Sequence, residues 1–478
     1  MYSYHIFLFP FNWSFEKNSD KLFEQQVSLN NIVPDRLSNW IRQTVPSSER
    51  ELKELYDEKN YYYDFVHEVL YDNGKDTTIV KHYERKELKH EGSQLSFNIE
   101  VRDKKNYQLK IDDIALNFYS TGVGTLIFYL RNENEDQKDF SDIKLINQFG
   151  RRIMPPFIED VDKRFETAER VYIDGLWGGS PYDEDFNDYS RHLESWKPAS
   201  YILQLINDFS EDIQIKPVID DRMIVNCWYA NDQLSKRIQT DYENFLKSDD
   251  WYSFAFIDST DPTCQNDKFC KRIIKKATNP RWQNYGTLYG ITRYSMVALG
   301  AKDFMFETVI FKHVRTLYTR MLELVLLQRS SRLRFSAEVT KVGIMKKAEH
   351  HRIADHISSL YKEYMLFMNQ IYFREVTSQD QGIEFYQLFL EQFGCTKQIS
   401  DLEEELGELH NYYHLLLAQK QNKNAEILNI IAATLLPASL LTAIFSLSKP
   451  QIHEGLQVLS IGLVIVFFYF NTKRILKK

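Results

Sequence analysis

The pattern of apolar and polar positions divides the chain into three stretches. Residues 1–300 mix strand and helix signals. Tyr2 to Phe11 is aromatic and β-branched enough for a strand, and Leu116 to Arg131 predicts two strands about a glycine turn at Gly122 and Gly124. Arg222 to Tyr229 and Trp251 to Ile257 predict further strands, Glu51 to Leu70 a helical piece, and Tyr182 to Tyr189 an acidic loop. The expected fold class here is an α/β or α+β domain.

After Gly300 the pattern turns helical. Ile310, Leu317, Met321 and Leu324 share one helix face, and Ile353, Ile357, Leu360, Tyr364, Phe367 and Ile371 step four and three, as in an antiparallel bundle or coiled coil. Thr377 followed by Asp380 predicts a helix start, and from Ile383 one helix is expected to run to Leu447, with Gly394 and Gly407 only weakening it.

The third stretch is apolar. Ile427 to Leu447 carries no charge over 21 residues, long enough for a helix to cross roughly 30 Å of hydrocarbon, and Leu456 to Phe470 follows as a second span. Lys420, Lys423, Lys473, Arg474, Lys477 and Lys478 flank the pair, against Lys449 alone between them, so both ends are expected inside the cell. The resulting layout is a cytoplasmic regulatory domain at 1–300, a helical bundle and stalk at 301–424, transmembrane helices at 425–447 and 456–472 around an outer loop at 448–455, and a basic tail at 473–478. The expectation is a multi-pass inner-membrane protein with a long helical stalk and a C-terminal two-helix transmembrane hairpin.

Inside the first span, Asn422, Ala425, Asn429, Ala432, Leu436, Ser439, Ala443 and Ser446 form a small or polar stripe. Such a stripe serves either close helix packing or, in several copies, a pore lining in which Leu436 is the narrow apolar gate. Carried backwards, the same stepping reaches Glu408, Glu404 and Asp401, which read as cation-attracting rings or as a plain solvated face.

Composition adds limits. Charged residues make up 26% of the chain and the formal charge is -8, which disfavours direct nucleic-acid binding. Four cysteines fit a reducing compartment, with Cys264 and Cys270 read as structural. His350, His351 and His356 read as helix-surface residues. Gly122 and Gly124 lack the Lys-Ser or Lys-Thr of a phosphate loop, and with no nucleophile elbow or recognised metal-ligand spacing the chain is expected not to be an enzyme. Tyr61, Tyr62, Tyr63, Trp177, Trp228, Trp251 and Trp282 either fill a large core or offer surfaces on which a purine could stack. Residues 281–299 read as the joint between two domains.

The C-terminal 100 residues or so carry a resemblance. Leu436-Pro437 followed by Leu441, Ala443, Ile444 and Phe445, a short loop, a second apolar helix and the tail Lys473 to Lys478 resemble the CorA family of two-helix magnesium and cobalt channels. The family's Gly-Met-Asn signature is absent: Ser446, Leu447 and Ser448 stand in its place at the outer mouth, and the acidic loop after it is reduced to Glu454. The resemblance implies a homopentamer embedded in membrane lipid, a CorA-like funnel, a central pore, and Mg2+ or another divalent cation as the permeant ion, without strict magnesium selectivity. Divergent CorA-like proteins also stand beside type III CRISPR systems, which implies a nucleotide second messenger as activator in antiviral defence. The expected function is thus a cation channel gated by ligand binding to the large cytoplasmic domain. A constitutive magnesium or cobalt transporter and a membrane-tethered enzyme or scaffold are the alternatives.

Overall fold

The computed structural model describes residues 1–447 except 16–28, 46–48, 91, 103–104, 156–166, 178, 189, 191–195, 220, 260–261 and 345–349, and of the last 31 residues only Gly462. Its strands are β1 Ser3–Phe15, β2 Trp40–Arg42, β3 Val80–Arg85, β4 Ser96–Glu100, β5 Asn106–Tyr119, β6 Val123–Asn132 and β7 Arg170–Asp174. They continue with β8 Tyr182–Asp185, β9 Ile213–Pro217, β10 Ile224–Ala230, β11 Thr278–Asn279, β12 Leu288–Ile291 and β13 Ser295–Gly300. All 13 join one sheet, whose main path runs β11-β12-β13-β10-β1-β6-β5-β4-β7-β8, with β9 on β1, and β3 carrying β2 on β5. Among the described residues every pairing is antiparallel except β10 with β13.

The long strands β1 and β5 each serve two partners along one edge. β1 pairs with β10 through Leu8 and with β9 from Phe11 onward. Pro10 sits at the changeover, where its missing N–H leaves no ladder bond unmade while its carbonyl accepts from Val218 N at 3.4 Å. β1 is apolar on both faces because both are covered: Phe7, Phe9, Phe11 and Trp13 enter the main core, while Tyr4, Ile6 and Leu8 are buried on the other side.

The core face is packed by α3 Phe140–Gly150, α4 Ser200–Phe209, α5 Asp232–Thr240, α6 Tyr242–Leu246, α7 Asp249–Phe256 and, through Ile274, α8 Asp267–Ala277. The opposite face meets α1 Glu49–Tyr61, α2 Asp64–Leu70 and a long helix whose wide π turns at Met305–Ile310 and Val314–Tyr318 lead into α9 Thr319–Ile344. Asn226 of β10 donates to Val314 O at 3.1 Å and to Thr319 Oγ1 at 2.9 Å, a side chain inserted where the helical ladder is widened. Then come α10 His350–Gln370, α11 Asp380–Gln392 and α12 Cys395–Leu447. The chain divides into two compact units, Met1–Gly343 with Ser359–Glu405, and Ile344–Ser358 with Leu406–Lys478.

Several expectations are overturned. Residues 251–257 are not a strand: Ser248 Oγ accepts from Trp251 N, and with Asp249 and Asp250 in the first turn α7 forms instead. Tyr182–Asp185 is an edge strand on β7, with exposed Asp185. The helix from 383 does not continue to 447, because Gly394 takes φ +68° and closes α11 before α12 begins. Most important, among the described residues no helix is long and apolar enough to cross a membrane. The expected transmembrane hairpin, the CorA-like funnel and the multi-pass inner-membrane channel are withdrawn on that finding; 456–472, save Gly462, and the tail lie outside the described residues.

Candidate functional site

The β5–β6 hairpin forms around Ser120, Thr121 and Gly122, and its end faces α9. Gly122 has φ +74°, and a Cβ there would lie 3.2 Å from Arg334 Nε. Only glycine meets both demands. The last residues of β5 project Asn117 and Tyr119 onto Glu323, which is 2% exposed: Tyr119 OH donates to Glu323 Oε1 at 2.7 Å and Asn117 Nδ2 donates to the same oxygen.

From Glu323 a buried line of alternating charge runs both ways. On one side Arg320 lies 3.4 Å from Glu323 Oε2 and 3.5 Å from Glu58 Oε1. On the other, the Asn117 amide oxygen meets His82 Nδ1, and His82 Nε2 lies 3.2 Å from Glu84 Oε1, whose second oxygen is 2.5 Å from Lys89 Nζ. Two oxygens facing the two ring nitrogens favour the imidazolium. Burial opposes that charge, but the hydrogen bond and charge of Glu84 raise the His82 pKa. Burial likewise opposes the Glu84 charge, yet His82 and then Lys89 hold it down at about 2. Burial and the neighbouring Glu84 lift Asp113, next on this face of β5, to about 6. From Glu58 to Lys89 each charged group of the line faces a group of opposite charge or a hydrogen-bond partner.

Above it opens a cavity of about 340 Å³. Five separate segments enclose it: residues 29–30, residues 76–79, the 120–122 turn, and the helices α9 and α10. Arg334 spans it, donating to Thr121 O at 2.6 Å and to Glu363 Oε2 of α10 at 2.9 Å. Thr121 Oγ1 is 2.8 Å from Ser331 Oγ. Asp76, Thr77, Thr78 and Ser120 supply polar lining, with Leu29, Ile79, Leu366 and Phe367 as the apolar part. Because Glu363 already pairs with Arg334, the lining carries no excess positive charge.

A wider groove of about 560 Å³ lies beside Tyr56, Lys59, Tyr62 and Tyr63, but one helix pair supplies all of its walls. Here Tyr62 is buried, with its hydroxyl on Leu317 O, and Tyr63 stacks on Phe65 with ring centroids 5.4 Å apart. Of the other aromatic residues, Trp228 and Trp251 are buried in the two packed faces, Trp282 lies tilted 55° to Tyr285, and Trp177 is half-exposed against His90.

The residues of the expected pore are placed differently. Asn422, Ala425, Asn429, Ala432, Leu436 and Ser439 are exposed along α12, but so are Leu428, Ile431 and Leu435, so exposure separates no stripe from its surroundings. The side chains of Ala443, Ser446 and Leu447, and Ser448 altogether, lie outside the described residues. Asp401, Glu404 and Glu408 are exposed on the first turns of α12, where Asp401 acts electrostatically on Arg332. All four cysteines are free thiols, and among the described residues no three His, Cys, Asp or Glu side chains gather as metal ligands. The cavity residues escaped the sequence reading because they come from segments some 300 positions apart; the glycine turn was the one local signal. No protein-family model matches the chain, and no curated protein matches it.

Proposed function

We propose that the first unit is a receptor for a small, hydroxyl-bearing ligand of about nucleoside size, held between the β5–β6 turn and α10, and that the protein acts by binding and not by catalysis. The observation that carries this reading is the cavity walled by five segments, whose 340 Å³ falls in the range of small-molecule sites. Its hydroxyls and the Asp76 carboxylate suit the hydroxyls of a sugar, and Ile79 and Leu366 give an apolar wall for a base. Arg334 joins the turn to α10, so a ligand that engages it would change how α10 is held. Calorimetric titration of nucleosides, nucleotides and free sugars into the protein tests the reading. A saturable nucleoside-class ligand is expected, with Arg334→Ala weakening it at least tenfold, about 1.4 kcal/mol. No binding across the panel, or binding indifferent to Arg334→Ala, would overturn it.

A further inference from the structure

Farther along α9, Arg329 and Arg332 stand one turn apart, and Arg293 lies between β12 and β13. Arg329 is 4% exposed, yet its Nε and Nη1 are buried without a hydrogen-bond partner, and the Nε of Arg332 is in the same condition. Among the described residues none of the three guanidinia makes an ion pair. What Arg329 does have is the ring of Phe393, 5.6 Å from its guanidinium carbon. Burial and then the charge of Arg293 push the Arg329 pKa down. Burial also lowers Arg332, and there Cys395, Glu405 and Asp401 act against the repulsion of Arg293 without any ion pair.

An unpaired guanidinium withdrawn from water is costly, and two like charges beside it add to that cost. A planar fork of N–H donors matches an oxyanion, and a tetrahedral one accepts from several donors at once. We propose that Arg329, Arg332 and Arg293 form a binding site for a phosphate-class oxyanion, either free orthophosphate or the phosphoryl group of a small metabolite. Arg293 is exposed and gives the anion its approach from solvent. The site is independent of the cavity at Arg334, and either can fail without the other.

Thermal unfolding of the full chain in a phosphate-free, low-salt buffer tests it, with orthophosphate, a nucleoside monophosphate and sodium chloride at matched ionic strength as the arms. Wild type should gain a saturable rise in Tm from phosphate that chloride does not reproduce. A larger rise with the monophosphate assigns the ligand to a metabolite, and an equal one to the free ion. Arg329→Met keeps the volume and removes the buried charge; it should melt above wild type without phosphate and lose the phosphate response. Arg293→Ala, on an exposed turn, should fold normally and weaken the half-saturating phosphate concentration about tenfold. The absence of a phosphate-specific rise in wild type up to tens of millimolar, or an equal rise in Arg329→Met or Arg293→Ala, would overturn the proposal.

Discussion

Helix α9 carries two sets of buried charge that answer the same physical problem differently. Near its start, Arg320 and Glu323 are tied to Glu58, Asn117 and Tyr119, and the line continues to Lys89 through His82 and Glu84. Two turns later, Arg329 has an aromatic ring and two neighbouring cations instead of an acceptor. Burial alone therefore does not mark a site. A buried charge that its own fold satisfies is architecture, whereas one that the fold leaves unanswered points outside the chain for its partner.

The sharpest way to break this comparison is the same substitution at both places. Arg320→Met strands Glu323 and Glu58 among buried groups and should destabilise by about 3 to 5 kcal/mol. Arg329→Met removes an unanswered charge and should stabilise in phosphate-free buffer. Denaturant unfolding of the two variants reads the sign directly, and a loss of stability in both would erase the distinction.

The next effect is on pH. Asp113 has its pKa raised to about 6 from an ordinary 3.8, so the folded state holds the extra proton between those values and stability falls as pH rises through them. At pH 7 this costs at most about 3 kcal/mol, using 1.36 kcal/mol per pKa unit. Asp113→Asn should therefore be more stable than wild type at pH 7, with the gap closing below pH 4. Glu84, held at about 2, works in the opposite sense, contributing stability above its ordinary pKa of 4.5 that is lost as pH falls toward 2. Tm profiles from pH 2 to 8 for wild type and Asp113→Asn separate the two groups.

A smaller effect comes from the turn. Gly122→Ala places a side chain at φ +74° and pushes Arg334 away from Thr121 O, for about 1 to 2 kcal/mol. The same variant should weaken any ligand held in the cavity. A normal affinity together with the stability loss would detach the turn from the proposed receptor site.

What the sequence by itself determined was local. The alternating aromatic run of β1, the glycine turn between β5 and β6, and the four-three stepping of Ile353 to Ile371, all buried in α10 or just past its end, depend on near neighbours, and neighbours are what periodicity records. The apolar run Trp251 to Ile257 reads as a strand, yet the Ser248 cap with Asp249 and Asp250 in the first turn makes it helical. Gly394 shows how little separates a weakened helix from an ended one: its φ of +68° is what closes α11. Only the tertiary structure decided that His82, Asn117 and Glu323 form one line, that Arg334 reaches back some 200 residues to Thr121, and that the charge of Arg293 bears on Arg329. Charge pairing depends on distance in space and on exclusion of water, and a list of residues contains neither.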